Sequence, residues 1–180
     1  MRVAFYAPLK PPQHPVPSGD RRIARLLLEA LRRGGHEPIV ASRFRSREPV
    51  GDPMRQARLA EMGQKLAMRL LRQWRGPKPD AWLTYHLYYK APDWIGPLLA
   101  EYWDIPYLAA EASFAPKRAG SPWDIGHRAV GEALRRAAAV LCLNPNDKPC
   151  LEPLAAGRLH DLQPAAPGRA CRSEIGRAHV

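Results

Sequence analysis

Cysteine is scarce in this chain of 180 residues: Cys142, Cys150 and Cys171 are the only three, and no two form a CxxC pair. That excludes a disulfide framework, offers no zinc-ligand spacing, and fits a reducing compartment. Long apolar runs are missing too. The first, Val3–Ala7, is five residues long, too short for the apolar segment of a secretion signal or for a membrane span. The expected location is therefore cytoplasmic. GxGxxG, the Walker loop, HExxH and the nucleophile elbow are all absent, as are zinc-finger spacings and the aromatic motif of an RNA-recognition domain. Neither a metal nor a resident cofactor is expected, and nucleic acid is not an expected partner.

Acidic residues are also in short supply. Against 28 lysines and arginines stand 17 aspartates and glutamates, for a net charge of +11. The excess is concentrated between Arg21 and Arg75, where 14 basic and 5 acidic residues leave +9. A basic face of this kind suits a phosphorylated ligand or an anionic lipid surface. The same figure has a plainer reading, because 22 of the 28 basic residues are arginine, as GC-rich coding would favour.

What is present is alternation. With 46% hydrophobic residues the chain can build one full core without staples. Apolar runs at Arg2–Ala7, Glu37–Ser42, Ala81–His86, Tyr107–Ala112 and Ala139–Asn144 predict strands, the second beginning after Pro38. Between them, helical spacing predicts helices. Asp20–Arg33 would bury Ile23, Leu26, Leu27 and Leu31; Met54–Trp74 would bury Leu59, Met62, Leu66 and Leu70. Further helices are predicted at Pro92–Trp103, with Pro92 in the first turn, at Trp123–Ala138 and near Asp147–Ala156. Arg43–Pro53 reads as a polar loop. Near-continuous apolar strands alternating with helices predict an α/β fold: one Rossmann-like doubly wound parallel sheet with helices on both faces.

That domain is expected to span residues 1–160. From Asp161 periodicity is lost, and the final IGRAHV matches the translation of a common short-read sequencing adapter (ATC GGA AGA GCA CAC GTC). Residues 161–180 are therefore expected to be an irregular tail ending in non-native read-through, with the natural chain longer.

In an open parallel sheet, ligands bind beyond the carboxyl ends of the strands. Four loops lie there. The first, PLKPPQHPVPSGDRR, is far longer than the ~2–6 residues usual in α/β units. It delivers Ser18, Gly19, Asp20 and Arg21 to a helix N-terminus, where backbone amides can meet an anion; a helix cap alone, from Ser18 or Asp20, is the alternative reading of the same residues. The second follows AWLTYHLYYK: His86 ends the strand beside Tyr85, Tyr88, Tyr89 and Lys90, a set that can line a sugar-sized cleft or simply pack. The third is EASFAPKRAG, where Glu111 is followed by Lys117 and Arg118, a grip for phosphate or carboxylate or else ordinary surface charge. The fourth, NPND at Asn144–Asp147, is as compatible with a turn as with a site. Cys142 falls within a strand, where a thiol is buried and inert.

In their order, RVAFYAPLKPP…PSGDRRIARLLLEALRRGGHEPIVAS, PDAWLTYH, DIPYLAAEASFAPKRAG and RRAAAVLCLNPND resemble the N-terminal domain of retaining glycosyltransferases with the GT-B fold, the glycosyltransferase family 4 type. The resemblance covers Met1 to Leu159. It implies a transferase that moves a sugar from a nucleotide-sugar co-substrate to a sugar or lipid-linked acceptor with retention, this half forming the acceptor-side wall of the cleft. It implies that Gly19 and its neighbours face donor phosphates and acceptor, that His86 lies by the transferred sugar, and that Glu111–Arg118 approaches the acceptor. Peripheral contact with the inner membrane face is implied as well. Two departures stand out: a single His86 where many members have HxH, and Glu111 where others have histidine or threonine. The family's donor-binding half and its paired glutamates are absent from these residues, so the fragment alone is expected to be inactive. The rival expectations are a non-catalytic flavodoxin-like module for a phosphorylated ligand, and a nucleotide-dependent enzyme with an unusual phosphate loop.

Overall fold

Six short strands lie side by side, all parallel, in the computed structural model, which describes residues 1–162. They are β1 (Arg2–Tyr6), β2 (Glu37–Val40), β3 (Ala81–Leu87), β4 (Tyr107–Ala112), β5 (Ala139–Cys142) and β6 (Leu159–Asp161). The helices are α1 (Gly19–Arg33), α2 (Pro53–Gln73), α3 (Gly96–Trp103), α4 (Asp124–Arg136) and α5 (Lys148–Ala155). The strand order is β2-β1-β3-β4-β5-β6. This is a Rossmann-like α/β sheet whose order reverses between β1 and β3, the place where open parallel sheets bind ligands.

One face carries α1, where Ala24 and Leu28 pack with Phe5, Leu83, Tyr85 and Ala110. The other carries the remaining helices over Tyr6, Trp82, Leu87, Tyr107 and Val140. Small residues let these helices approach. A Cβ at Gly63 of α2 would strike the Trp94 side chain, and one at Gly96 would strike Trp82 and Asp93.

Several sequence expectations shift. Pro38 lies inside β2, paired with Val3, because β2 is an edge strand and a missing donor is tolerated there. Leu26 of α1 and Met62 of α2 face solvent, at 57% and 51% exposure; the buried positions are Ala24 and Leu28, and Gln56, Gly63 and Ala67. The third helix begins at Gly96 rather than Pro92, because Asp93 turns inward and its carboxylate accepts from the amides of Ile95 (2.8 Å) and Gly96 (2.7 Å). β6 lacks any apolar period yet pairs with β5 in register, so the sheet runs one residue past the expected boundary at 160. The predicted irregular tail lies outside the described residues from 163 onward.

Asp93 anchors the helix-rich face. It is 4% exposed and also accepts from the Thr84 hydroxyl (2.5 Å) and the Tyr107 hydroxyl (3.2 Å), while Trp82 Nε1 donates to Thr84 at 2.9 Å. Burial raises its carboxyl above the ordinary range, and the four donors only partly oppose this. The folded state therefore holds this proton to higher pH than the unfolded chain does, and stability declines as pH rises from ~4 through the folded value. Asp93→Asn cannot ionise, so its stability measured against pH should be flatter than wild type across that window. Asp93→Ala should cost about 3 kcal/mol in urea unfolding, since several buried donors lose their acceptor; a loss below about 1 kcal/mol contradicts the anchoring role.

A candidate ligand site on the carboxyl rim

The loop after β1 is held open by arginines. Arg21 Nη1 donates to the carbonyls of His14 (2.8 Å) and Pro15 (3.0 Å), Arg25 Nε to Pro12 (2.8 Å), and Arg45 Nε to Leu9 (3.0 Å). Its prolines lack donors, so their carbonyls take side-chain ones. Arg21 thus braces the loop. Ser18 caps α1, its Oγ accepting from the Arg21 amide at 3.2 Å. Gly19 is exposed, with nothing within 4 Å of where a Cβ would stand, so a ligand can come close to the first amides of the helix.

Asp20, in the first turn, faces β3. Its Oδ1 is 3.0 Å from His86 Nδ1, a close contact that falls short of hydrogen-bond alignment. His86 itself is bent out of the strand, with φ at 61°, and Glu111 has φ at 55°. A side chain in the left-handed region costs on the order of 1–3 kcal/mol. The two residues sit at the same level of neighbouring strands: Tyr85 pairs with Ala110 and Leu87 with Ala112, with His86 and Glu111 between. The bend resets the alternation of faces. Trp82 and Leu87, an odd number apart, bury into one cluster, as do Ala109 and Ala112. Beyond the bend the ladder resumes, with the Ser113 amide donating to Leu87 at 2.9 Å.

The bend leaves polar atoms without partners. Tyr85 Oη, His86 Nδ1, Glu111 Oε2 and Arg118 Nε are four of the seven buried side-chain atoms lacking a hydrogen bond among the described residues. Native interiors seldom tolerate such a cluster without a ligand, water or catalytic use. Burial raises the Tyr85 phenol well above its usual value, and the carboxylates of Glu111 and Asp20 push it further the same way.

Aromatic rings continue along the rim. Centroids step from His86 to Tyr88 at 5.1 Å, to Tyr89 at 5.5 Å and to Trp123 at 5.7 Å. Arg118 lies 4.8 Å from the Tyr89 ring centre and Lys90 Nζ 4.8 Å from that of Trp123. Lys117 is exposed and makes no ion pair among the described residues. Thus Gly19, Asp20, His86, Glu111 and Arg118 share one rim. Ser18 and Arg21 stand beside them with their polar groups turned to cap and loop.

Sequence reasoning missed the support behind these rings. The segment 43–52, which reads as a mere polar loop, folds across the rim. The Glu48 amide donates to the Lys90 carbonyl (2.8 Å) and Trp123 Nε1 to the Glu48 carbonyl (3.3 Å). The buried Glu48 carboxylate accepts from the amides of Val50, Gly51 and Asp52 at 3.1, 2.5 and 3.2 Å. The only local signal was a glutamate three residues before the glycine of EPVGD. NPND forms a turn, Asn144 Oδ1 accepting from Asn146 N at 3.2 Å. Burial raises the Cys142 thiol, consistent with an inert role. Among the described residues, no group of three or more His, Cys, Asp or Glu side chains is placed to hold a metal, and no helix is long and apolar enough to cross a membrane.

No protein-family model matches the chain, and none of the curated proteins does. Among solved structures the chain is similar to Arabidopsis thaliana UGT89C1 complexed with UDP-L-rhamnose, at 15% identity and a TM-score of 0.44. The alignment covers 93% of this chain and 53% of that one, so the chain spans about half that protein's length.

Glu111→Gly should relieve left-handed strain, and this outweighs the loss of the carboxylate's close approach to the Tyr85 hydroxyl. It should raise stability by about 1 kcal/mol in urea unfolding. A loss of more than about 1 kcal/mol would mean Glu111 is there for the fold rather than for a ligand.

Proposed function

We propose that this chain is the acceptor-side half of a nucleotide-sugar-dependent glycosyltransferase acting with retention. The observation that carries the reading is the paired left-handed bend at His86 and Glu111, set against Asp20 in the first turn of α1. It sets His86 beside Asp20 and Glu111 on the neighbouring strand, near the point where the strand order reverses, at the expense of backbone strain. In this reading Asp20 orients His86, which lies against a hydroxyl of the transferred sugar. Glu111 accepts from a second hydroxyl, and the first amides of α1 at Gly19 face donor phosphates. Arg118, with Lys117 beside it, reaches the acceptor. The opposite wall and the paired glutamates would come from a donor-binding domain beyond residue 160.

A non-catalytic module for a phosphorylated ligand is the second reading, favoured by one observation: β2-β1-β3-β4-β5 is the flavodoxin-like order. The two diverge on the gene and on turnover. The glycosyltransferase reading expects the frame after codon 160 to continue into a second α/β domain. In that full-length enzyme, His86→Ala should lower turnover by about a hundredfold while donor binding is retained. The purified 180-residue chain should show no transfer from any nucleotide-sugar. A gene without a second domain, or wild-type turnover in His86→Ala, contradicts this reading.

The basic stretch supports membrane contact at the inner face. Arg22 and Arg25 are exposed beside Leu26, with Val16 nearby in sequence also open to solvent. Each basic side chain near an anionic bilayer adds about 1 kcal/mol. Co-sedimentation with vesicles should therefore rise with phosphatidylserine content and fall with salt. Indifference to both removes the membrane from the account.

A further inference from the structure

We propose that Lys90 and Arg118, held over the Tyr89–Trp123 ring pair, form a subsite for a phosphate ester. Calling its ligand the acceptor rests on the glycosyltransferase reading; the subsite itself does not. The sequence had coupled Arg118 with its neighbour Lys117. The fold instead brings Arg118 to Lys90, from a different loop, on shared rings.

Both cations lie within cation–π range of both rings. Lys90 Nζ is 5.8 Å from the centre of Tyr89 and 4.8 Å from that of Trp123; Arg118 Cζ is 4.8 and 5.2 Å from the same two. The rings meet edge to face at 77°. Stacking occupies the flat face of a guanidinium and leaves the N–H donors along its edge for a planar or tetrahedral oxyanion. One of those donors, Arg118 Nε, is shielded from water and has no partner.

No carboxylate pairs with Lys90 or Arg118 among the described residues, Glu111 and Asp20 of the same rim included. The nearby carboxylates are engaged elsewhere. Glu48 accepts from three backbone amides, Asp52 caps α2, and Asp124 accepts from Gly120 N (2.8 Å) and pairs with Arg128 (2.5 Å). Two cations sharing the same pair of rings carry no counter-charge there. A phosphate monoester, carrying about −1.5 to −2 near neutral pH, supplies one and meets the free donors.

The platform is rigid, as a binding site requires. Gly126 packs directly on the Tyr89 carbonyl, where any Cβ would collide, and its amide donates to Gln56 Oε1 at 3.0 Å. Trp123 is tied to the 43–52 segment through the Glu48 carbonyl. From Tyr89 the rim leads to His86 in ring steps of 5.5 and 5.1 Å, the reach of a ligand of one or two sugars.

The test follows the Trp123 indole N–H in NMR spectra of the 180-residue chain, identified by its loss in Trp123→Phe. Inorganic phosphate and glucose 6-phosphate should each shift it saturably. Arg118→Gln and Lys90→Gln should each weaken glucose 6-phosphate at least about tenfold with the thermal midpoint unchanged, and Arg118→Lys should recover part of the loss. Vesicles with and without phosphatidic acid separate the two sources of the ester. An Arg118-dependent response larger for vesicles assigns a lipid headgroup, and one larger for glucose 6-phosphate assigns a soluble ligand. No saturable shift with either phosphate, or affinity unchanged in both glutamine variants, overturns the subsite. Phosphate binding by a full-length protein that transfers no sugar sinks the glycosyltransferase reading and leaves the subsite standing. Transfer to a phosphate-free acceptor, insensitive to Arg118→Gln, overturns the acceptor as the subsite's ligand and keeps the glycosyltransferase reading.

Discussion

The rim depends on one backbone event. His86 and Glu111 turn left-handed at the same level of adjacent parallel strands, and the ladder between them skips that level and resumes. Either bend alone would break register with its neighbour; made together, they keep β3 and β4 paired. Both strands then reverse which face they bury, so Leu87 and Ala112 enter the helix-rich core. The strain is offset by that core, with Asp93 fixing α3 beneath it through backbone amides and the Thr84 hydroxyl. A fold that needed only stability would place glycine at both positions.

Much of the architecture was legible from period alone. Five of the strands and all five helices follow from apolar runs and helical spacing, because each element buries a face and the faces leave a pattern. β6 was not legible: two of its three residues, His160 and Asp161, are polar, and its place is fixed by the pairing surface β5 offers. The inward faces of α1 and α2 were read in the main correctly, with Ile23, Leu27, Leu31, Leu66 and Leu70 packed on the core, but Leu26 and Met62 were wrongly counted with them. Close approach to Trp94 selects Gly63 there, while Met62 stays outside.

The site was legible by position and illegible by contact. Strand–loop order places Gly19, His86 and Lys117 on one rim, but it is Arg118 rather than Lys117 that reaches the rings there. The partnership of Asp20 with His86 crosses from one loop to another strand, and no spacing announces it. The same holds for Lys90 with Arg118 and for Glu48 behind Trp123, which arise only when the 43–52 segment folds over the rings. Arg21 shows the reverse: its position was right for a ligand, yet the donor-poor loop of prolines claims its guanidinium.

The central claim is that this rim, strained and under-bonded, is where the protein meets its ligand. The most direct measurement is amide and indole NMR of the chain titrated with nucleotide-sugars, mono- and disaccharides and sugar phosphates. The account predicts that shifts gather at residues 18–20, 85–90 and 111–118. Shifts gathered instead on the outer face of α2 and α3, with the rim silent throughout, would contradict it.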